Sequence, residues 1–519
     1  MQNKTMFLLM LVITFIISGC SQTENQATNK QNNEQNLNVA FSGQPPSLDP
    51  HITTATEALE IARNIFETLV TLNENYEPVP MLAESVESSE DGKVYTFHLR
   101  EGVNFHNGEE MTSEDVVASM NRWLEKASVA ITFLPGATFE AEGLHTVVLK
   151  LEEPATDVLD IMAGRSQFPA IMPKDIIDSA PAEGVSEIVG TGPFELKEWK
   201  QDQHIHLKKF DNYSMLDEEP SGLAGRKEVF FDNVYFKVVS DSSTRLAGLE
   251  TGEYDVAIQI PHNNFEKVNN LPNVNVYLDY SGTNNVYYNR KEGPMANEKM
   301  RQAVNIALDL DEIMLAAFAD EELYEVDHNY MKPDQTNWNG ESGKESFNQK
   351  DTERAKELLK EAEYNGEELI LLTSRTYDYQ YNSSVVLKEQ LEQIGVNIKL
   401  EDYDWTGYQD RRNDLSKWDL VSVGGQGLLT TPSQLLALDS AFASGSDHPK
   451  ITELLKLIRT AETQDKAREH WDELQGFLWN EYVPITIYGH QNSIVGTTSK
   501  LEDLSVLQGP IFWNTRMAE

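Results

Sequence analysis

Residues with the chemistry for catalysis or covalent modification are scarce in this sequence, and the most specific of them is one cysteine. Cys20 is the only cysteine among 519 residues, so the chain forms neither an internal disulfide nor a cluster of thiolate metal ligands. It closes the tetrapeptide Ile17-Ser18-Gly19-Cys20, which resembles a bacterial lipobox. We expect cleavage before Cys20 and acylation of its thiol, with more than one acyl chain for stable anchoring. The alternative is a free cysteine after an ordinary signal peptide.

Histidines and catalytic motifs give no comparable signal. His204 and His206 alternate along one predicted strand, and His98 and His106 flank one turn, but no third ligand is spaced to complete a metal site. The sequence also lacks a Gly-x-Ser-x-Gly elbow, a His-Glu-x-x-His motif and a glycine-rich phosphate loop. We therefore expect no enzyme, no metal and no other cofactor. A glycosidase that uses a pair of carboxylates stays open, because Asp and Glu are abundant.

The charge of the chain restricts its partners. The sequence has 42 basic and 84 acidic residues, which gives a net charge of −42. Such a field repels nucleic acid and anionic lipid head groups, so we expect no nucleic-acid partner. Capture of cationic ligands is one interpretation of the charge. A solvated acidic surface is the simpler alternative.

The N-terminal residues predict export of the protein. The apolar run Met6–Ile17 is shorter than the ~20 residues of a spanning helix, and it fits the hydrophobic region of a secretory signal. We predict a lipoprotein signal peptide over residues 1–20 and a disordered tether over residues 21–36, where Ala27 is the only apolar side chain before Leu37. The remaining chain exceeds the roughly 250–300 residues that one core serves, so at least two lobes are expected.

Strand and helix patterns alternate along the rest of the chain. The segment Lys93–Arg100 alternates apolar and polar residues, and Thr112 with Asp115 resembles a capping box at the start of a helix. Such alternation predicts α/β lobes with largely parallel sheets. Further predicted strands are His204–Phe210, Val274–Tyr280, Val286–Asn289, Leu369–Thr373, Val396–Tyr403 and Leu420–Val423, and further predicted helices are Glu298–Leu308, a helix to Phe318, Asp351–Glu363 and Ser383–Ile394, with a surface loop over Asp334–Gln349.

One long segment and several short blocks resemble a known family, the dipeptide-, oligopeptide- and nickel-binding lipoproteins of ABC importers (solute-binding protein family 5). The long segment is Ser89–Ser119, which resembles the hallmark of that family. Its turns at Asp91-Gly92 and Asn107-Gly108 have the chemistry of a scaffold rather than of a ligand site. The short blocks follow in the family's order: Gln44–Pro50, Gly190–Phe194, Leu249–Asp255, Met300–Leu308 with Asp311, Leu391–Val396, and Trp405 with Tyr408.

The resemblance implies an α/β, two-lobed clamp like the class II periplasmic binding proteins. The first lobe would comprise residues 37–283 and 484–519, with an inserted subdomain over residues 54–186. The second lobe would comprise residues 284–483. A ligand would bind in the cleft between the lobes and be buried when they close.

The resemblance also implies candidate ligand contacts. A peptide needs a cation for its carboxylate, an acid for its amine and backbone groups for its amides. Arg375 matches the carboxylate anchor of dipeptide-binding members, and a surface arginine is the alternative. Trp405 could stack on a ligand or lie in the core. Backbone contacts are expected from Gly43, Gln44, Pro45, Gly190, Thr191, Gly192, Gly424, Gly425 and Gln426.

The sequence departs from the family at the amine anchor. Dipeptide-binding members carry an acid-rich stretch after the strand that matches Leu420–Val423, whereas residues 424–433 here contain no acid. The ligand could lack a free amine, be longer, or use another acid such as Asp378 or Asp404.

The sequence therefore predicts a monomeric receptor, lipid-anchored at Cys20 on the extracytoplasmic face of the membrane. It would capture peptides and deliver them to the permease subunits of an ABC importer. A receptor for another solute, such as a nickel chelate, is the alternative within the family. A sensor or adhesion lipoprotein without transport is the alternative from another class.

Overall fold

The computed structural model describes residues 34–425, 427–439 and 444–518. The described residues from Gln35 onward form one compact unit. The predicted signal peptide, Cys20, most of the predicted tether and Gln426 lie outside the described residues. Among the helices that are described, none has both the length and the apolar character needed to cross a membrane.

The strands are, in chain order, β1 (Asn36–Phe41), β2 (Val70–Leu72), β3 (Pro78–Pro80), β4 (Ala83–Ser88), β5 (Val94–Leu99), β6 (Thr138–Ala141), β7 (Thr146–Lys150), β8 (Phe194–Lys200), β9 (His204–Lys209), β10 (Asn233–Val238), β11 (Val256–Ile260), β12 (Val274–Tyr288), β13 (Tyr324–Glu325), β14 (Glu368–Ser374), β15 (Asn397–Tyr403), β16 (Leu420–Gly424), β17 (Ile485–Thr498), β18 (Leu501–Glu502), β19 (Ser505–Val506), β20 (Pro510–Ile511) and β21 (Arg516–Met517).

The α-helices are α1 (Thr56–Ala62), α2 (Ser113–Lys126), α3 (Ser128–Phe133), α4 (Val158–Ala163), α5 (Lys174–Asp178), α6 (Ser242–Thr251), α7 (Phe265–Asn269), α8 (Glu298–Ala307), α9 (Leu310–Phe318), α10 (Thr352–Glu361), α11 (Asp378–Gln393), α12 (Trp405–Arg412), α13 (Pro449–Arg459) and α14 (Gln464–Phe477).

One large mixed sheet runs through the whole unit. Its strand order is β15-β14-β16-β12-β17-β11-β1-β10-β9-β8, and β13 adds to β17. The strands β14–β16 are parallel to one another, and so are β10, β1 and β11, whereas β12 and β17 pair antiparallel with each other and with their outer neighbours. On the first-lobe side, β9 and β8 continue the sheet antiparallel beyond β10. The two long central strands therefore join a parallel half to a mixed half, and the predicted largely parallel sheet is found in the second lobe only.

The protein is a two-lobed α/β clamp, as the sequence predicts. We use "first lobe" for residues 35–273 and 499–518 and "second lobe" for residues 289–484, because the long strands β12 and β17 connect them. The predicted domain limits, 283/284 and 483/484, fall inside β12 and just before β17, and they stay a prediction.

A second, four-stranded antiparallel sheet with the order β4-β5-β7-β6 lies in the first lobe. Tyr95, Phe97 and Leu99 of β5 are buried on one face, which confirms the predicted alternation. The capping box of α2 is also confirmed, because the Thr112 backbone N–H donates to Asp115 Oδ2 at 2.9 Å. The hallmark segment thus builds the core of this region.

The second lobe confirms several predicted helices. The Asp351 side chain accepts the Arg354 backbone N–H at 2.9 Å and so caps α10. The same helix buries Ala355, Leu358 and Leu359 against the core that surrounds β14 and β16. The apolar positions that recur at helical spacing therefore face the sheet, as expected for a helix that covers a parallel sheet.

Three local predictions are wrong. The two predicted strands Val274–Tyr280 and Val286–Asn289 are one strand, β12, because pairing with β17 carries the backbone through residues of low β-propensity. Helix α11 begins at Asp378, five residues before the predicted Ser383. The predicted surface loop Asp334–Gln349 is irregular, but it buries Trp338, whose indole N–H donates to the Thr430 carbonyl at 2.9 Å.

Candidate functional site

The carboxyl ends of strands from the two lobes face each other across the middle of β12. Strand β11 makes its last pairing at Ile260, level with Leu278 of β12, and β16 ends at Gly424, which pairs with Asn284. Residues 279–283 lie between these levels, so roughly 20 Å of β12 separates the two sets of strand ends at ~3.3 Å per residue. Open α/β sheets bind ligands beyond the carboxyl ends of their strands. We call this space the cleft.

The backbone of β12 is irregular where it lines the cleft. The register with β17 shifts between Tyr280 and Gly282 and again between Asn284 and Asn285. Bulges of this kind bend a strand and redirect its side chains, and they are common beside functional sites. The cleft floor is therefore the least regular part of the two central strands.

The first lobe contributes a carboxylate to the cleft. Glu57, in the first turn of α1, accepts a hydrogen bond from the Ser42 hydroxyl at 3.0 Å and one from the Gln259 side-chain amide at 3.3 Å. Gln259 has φ 55°, a left-handed conformation that costs about 1–2 kcal/mol in a residue other than glycine. This backbone conformation turns the Gln259 side chain toward Glu57 at the end of β11. Gly43 lies on the same side, since a Cβ added there would lie 3.9 Å from Glu57 Oε1.

The second lobe contributes aromatic rings. Tyr377 precedes α11 and is 43% exposed, and Trp405 begins α12 and is 38% exposed. Their ring centroids lie 5.2 Å apart at an interplanar angle of 90°, and Trp405 also stacks on Tyr408 at 5.2 Å. Burial, and after it the charge of Glu57, raises the pKa of Tyr377. The aromatic group of the second lobe therefore lies within electrostatic reach of the first lobe's carboxylate.

The floor of the cleft holds amide side chains that lack partners. Asn284 is fully buried, and among the described residues neither its Oδ1 nor its Nδ2 has a hydrogen-bond partner. The same holds for Oε1 of the buried Gln491. Gly424 and Gly425 cover Asn284, and a Cβ at Gly424 would lie 2.7 Å from a ring carbon of Tyr379. Buried amides without partners are costly, so these atoms mark a place where a polar ligand would be stabilised.

Arg375, the predicted carboxylate anchor, already has partners within the second lobe. Its Nε donates to Asp402 Oδ2 at 2.5 Å, and its Nη2 donates to the Tyr381 hydroxyl at 2.7 Å. The guanidinium carbon also lies 3.9 Å from the centroid of the Tyr381 ring, and the side chain is 60% exposed. Bonding to Asp402 raises the pKa of Arg375.

Other predicted contacts are dispersed. Gly43, Gly424, Gly425 and Trp405 lie at the strand ends, as the resemblance implies. The Gln44 side chain instead accepts the Asp202 backbone N–H at 2.9 Å and donates to the carbonyl of Pro45, which is buried.

The predicted segment Gly190–Gly192 is buried inside the first lobe. A Cβ at Gly190 would lie 2.2 Å from the Ile65 carbonyl oxygen. His106 Nε2 donates to the Gly192 carbonyl at 3.0 Å, and the Thr191 hydroxyl donates to Glu67 at 3.1 Å. The structure therefore does not bring this segment together with the strand-end residues.

Beneath the cleft floor lies a cluster of buried charges. Arg165 donates to Glu60 at 3.2 Å, and Arg63 donates to the carbonyls of Leu507 and Gln508 at 2.9 and 3.2 Å. Burial raises the pKa of Glu60 to about 7, while the charges of Arg165 and Arg63 act in the opposite direction. Burial likewise raises the pKa of Asp279, which lies on β12 at the cleft. Burial thus raises the pKa of both carboxyl groups beneath the floor.

A cavity of about 60 Å³ extends from this cluster into the first lobe. Arg63, Arg165 and Gln508 line it, together with the ion pair Lys227–Glu67 at 2.9 Å. Apolar side chains such as Phe66, Met162 and Trp513 form the rest of the lining, and a volume of this size holds a few water molecules beside the polar groups.

The two lobes also touch away from the cleft, at one buried carboxylate. Asp157 precedes α4 in the first lobe, and its oxygens accept hydrogen bonds from Thr431 Oγ1 at 3.0 Å and Ser433 Oγ at 3.2 Å. Arg459, the last residue of α13, donates its Nε to the same carboxylate at 3.2 Å. The Thr156 backbone N–H adds a bond to the Arg459 carbonyl at 2.7 Å. We call Asp157, Thr431, Ser433 and Arg459 the interlobe contact.

Sequence reasoning missed Glu57, Tyr377, Asn284, Gln491 and the interlobe contact. A signal existed for two of them. Tyr377 follows Arg375 closely, and Asn284 interrupts a strand in which asparagine is disfavoured. The others carry no local signal, because their partners are remote in sequence.

The predicted histidine pairs hold ordinary structural contacts. His204 Nε2 lies 3.0 Å from Glu198 Oε2, and His206 Nε2 lies 2.8 Å from Asn233 Oδ1. Over residues 34–425, 427–439 and 444–518, no three His, Cys, Asp or Glu side chains gather as a metal-binding group.

Comparison with known proteins gives the family. Residues 77–445 match the model for bacterial extracellular solute-binding proteins, family 5 Middle. The chain is 30% identical over 505 residues to a "Probable peptide ABC transporter periplasmic-binding protein y4tO" of Sinorhizobium fredii, which covers 91% of each chain.

Two solved structures share the fold. The oligopeptide-binding protein AppA of Bacillus subtilis, in complex with a nonapeptide, is 22% identical with a TM-score of 0.73, covering 94% of this chain and 100% of that one. AgaA of A. tumefaciens R10, in complex with agropinic acid, is 24% identical with a TM-score of 0.74, covering 93% and 99%. Together with the family match, the two-lobed cleft gives one conclusion. The chain belongs to the bacterial extracellular solute-binding proteins of family 5.

Proposed function

We propose that this protein is the peptide-binding receptor of an ABC importer, which captures its ligand in the cleft and delivers it to the permease without chemical change. The names of its relatives support peptides as the solute class. Binding proteins of this family transport solutes, and a role without catalysis is part of the proposal.

One observation carries the peptide proposal more than any other. The buried side-chain amides of Asn284 and Gln491 have polar atoms without partners at the cleft floor, between the strand ends of the two lobes. Peptide groups carry both a donor and an acceptor, so an extended peptide would satisfy these amides. Tyr379 lies over this part of the floor, since a Cβ at Gly424 would lie 2.7 Å from its ring, so a peptide would bind these amides in place of that ring.

Lobe closure is the second part of the proposal. The lobes would rotate about β12 and β17 near the predicted limits 283/284 and 483/484, where the register shifts of β12 lie. The interlobe contact would form on closure, because Asp157 receives its bonds from second-lobe donors. Hinges formed by a few residues are the usual device for such closure.

The cellular setting follows the family. Its members are extracellular or periplasmic proteins, and we propose that this one is a monomer anchored by lipid at Cys20 to the outer face of the membrane. Permease subunits of the importer would recognise the closed form. If the protein captured another solute, such as a nickel chelate, the receptor role would stand and the peptide ligand would be wrong.

Arg375 is the proposed contact for the peptide carboxylate. A guanidinium holds five N–H donors, so Arg375 keeps donors beyond the Nε and Nη2 that Asp402 and Tyr381 use. A ligand carboxylate would therefore share the guanidinium with Asp402.

Native mass spectrometry of the purified protein with pools of synthetic di- to nonapeptides tests the proposal. We expect adducts at peptide masses, and a Kd measured by calorimetry that rises at least tenfold in Arg375→Ala. Arg354→Ala is the matched control, because Arg354 is also exposed and paired with acids, but on α10.

The outcomes separate the parts of the proposal. Peptide adducts with equal affinity in both arginine variants would remove Arg375 from the site. The absence of any peptide adduct, with binding of nickel chelates or sugars instead, would refute the peptide ligand.

A further inference from the structure

The cleft has a carboxylate on its first-lobe face and aromatic rings on its second-lobe face. On the first lobe, the Glu57 carboxylate is held by two neutral side chains, Ser42 and Gln259. On the second lobe, the rings of Tyr377 and Trp405 stand edge to face and keep about two-fifths of their surface in solvent. The two faces meet beside this place, because the ring of His262, three residues after Gln259, lies 5.8 Å from the ring of Tyr379, and the ring of Tyr379 lies 5.8 Å from that of Tyr377. Burial, and after it the charge of Glu57, raises the pKa of Tyr377.

Glu57 forms no ion pair in the part of the chain that is described, although Arg245 lies within reach of its charge. No lysine, arginine or histidine of residues 34–425, 427–439 and 444–518 forms an ion pair with it. Arg245 belongs to the same neighbourhood, but it donates to the carbonyls of Val239, Ser240 and Gln259. Partly buried carboxylates are usually paired, so a carboxylate that only neutral groups hold is suited to an external cation.

The aromatic face strengthens this assignment. A cation over the face of tryptophan or tyrosine within about 6 Å gains roughly 0.5–2 kcal/mol, more when it is removed from water. Burial between the lobes would remove it from water. A carboxylate on one side and aromatic rings on the other is therefore the chemistry of an ammonium or guanidinium site.

We propose that Glu57, with Tyr377 and Trp405, binds a cationic group of the ligand between the lobes. This inference rests on the proposed function and specifies its ligand: a solute with a positive charge, either a free amino terminus or a basic side chain. It places the acid for that charge on the first lobe, whereas residues 427–433, like the whole segment 424–433 of the sequence, offer none on the second.

Three pools of neutral-sequence tripeptides provide the test by calorimetry: one with free amino termini, one N-acetylated, and one N-acetylated with a single lysine. We expect wild-type protein to prefer a cationic pool over the acetylated neutral pool at least tenfold. The free-amine and lysine pools distinguish the two sources of charge.

The variants locate the acid. We expect Glu57→Gln to abolish the preference for the cationic pool while the Kd for the acetylated neutral pool changes less than threefold. Asp378→Asn is the matched control, because it removes the same charge from the exposed residue next to Tyr377 on the second lobe. Trp405→Leu should reduce the preference by a smaller factor of about three to ten, in keeping with the cation–π contribution.

Each result has a definite meaning. A preference that persists in Glu57→Gln, or that disappears in Asp378→Asn instead, would overturn the inference while leaving the peptide receptor intact. Equal binding of the cationic and neutral pools by the wild type would overturn it as well. Failure of every pool to bind would refute the proposed function itself.

Discussion

Two arginine–aspartate pairs of the molecule have similar chemistry and different surroundings. Arg375 and Asp402 lie 2.5 Å apart within the second lobe, with side chains 60% and 36% exposed. Arg459 and Asp157 lie 3.2 Å apart and join the two lobes, with side chains 25% and 1% exposed. Arg375 and Asp402 therefore have the shorter N–O distance, but water screens their attraction more than that of Arg459 and Asp157.

The difference shows that burial, rather than distance, decides what such a pair contributes. An exposed ion pair gains little because solvent screens it and two long side chains lose freedom. A desolvated carboxylate must have partners, and removing one costs about 3–5 kcal/mol where both groups are buried. Asp157 has three donors from the second lobe, so under the proposed closure its partners would come together only when the lobes close.

A third pair stands between these extremes. Glu60 and Arg165 lie 3.2 Å apart beneath the cleft, with side chains 11% and 24% exposed. Here burial outweighs the charge of the partner, because the pKa of Glu60 is raised to about 7 rather than lowered. The three pairs form a series in the exposure of the acid, which rises from 1% for Asp157 to 11% for Glu60 and 36% for Asp402.

The largest effect is expected at the interlobe contact. Asp157→Ala should destabilise the closed form by about 2 kcal/mol, less than for a fully buried pair because Arg459 is partly exposed. The apparent Kd for peptide should rise roughly 30-fold. Calorimetry measures the affinity, and small-angle X-ray scattering with saturating ligand measures closure.

A double variant sharpens that comparison. In Asp157→Ala/Arg459→Ala, the losses should be less than the sum of the single losses, since both remove the same contact. Strict additivity would mean that the pair does not act as a unit, and an unchanged Kd in Asp157→Ala would remove the interlobe contact from closure.

The intermediate pair should appear in the pH dependence of stability. Burial raises the pKa of Glu60 from 4.5 to about 7, so the native state binds this proton more tightly than the unfolded state. The stability that Glu60 contributes is then full below pH 4.5 and falls as pH rises to about 7. Glu60→Gln should remove this loss, on the order of 2–3 kcal/mol.

Urea unfolding between pH 4 and 8 measures this effect. The unfolding free energy of Glu60→Gln minus that of the wild type should increase from pH 4.5 to 7 and then level off. Glu74→Gln, at an exposed glutamate of the first lobe, serves as the control and should give a flat difference. Parallel curves for Glu60→Gln and wild type would contradict the raised pKa.

The smallest effect on stability is expected at the exposed pair. Arg375→Ala should shift the Tm of the ligand-free protein by less than about 2 °C, because the pair is screened and lies within one lobe. Differential scanning calorimetry measures it. A larger shift would show that the stack on Tyr381 stabilises the second lobe, and it would weaken any use of this variant as a probe of the ligand.

Local elements were largely predictable from the sequence. The alternation in β5, the capping box of α2 and the cap of α10 depend on residues within a few positions of each other. The start of α11 and the continuity of β12 were not predictable in this way. In β12, pairing with β17 carries the strand through Asp279, Gly282, Asn284 and Asn285, residue types that strands disfavour.

The candidate site was only partly predictable. Gly424, Gly425 and Trp405 lie at the strand ends because family motifs preserve order along the chain, and strand order places those ends together. Gly190 has equally recognisable surroundings, yet it packs against the Ile65 carbonyl inside the first lobe. A family motif therefore predicts where a segment lies in the fold, but not whether its residues face the cleft or are buried inside a lobe.

The sequence by itself determined the α/β class and the local caps and turns, because these follow from periodicity and from residues close together in the chain. The family and the two-lobed clamp followed from the resemblance of its motifs to a known family. The tertiary structure alone decided which charged groups meet. Arg459 and Asp157 are 302 positions apart, and Gln259 and Glu57 are 202 apart. The first contact depends on how the two lobes pack around β12 and β17, and the second depends on how β11 and α1 pack within the first lobe.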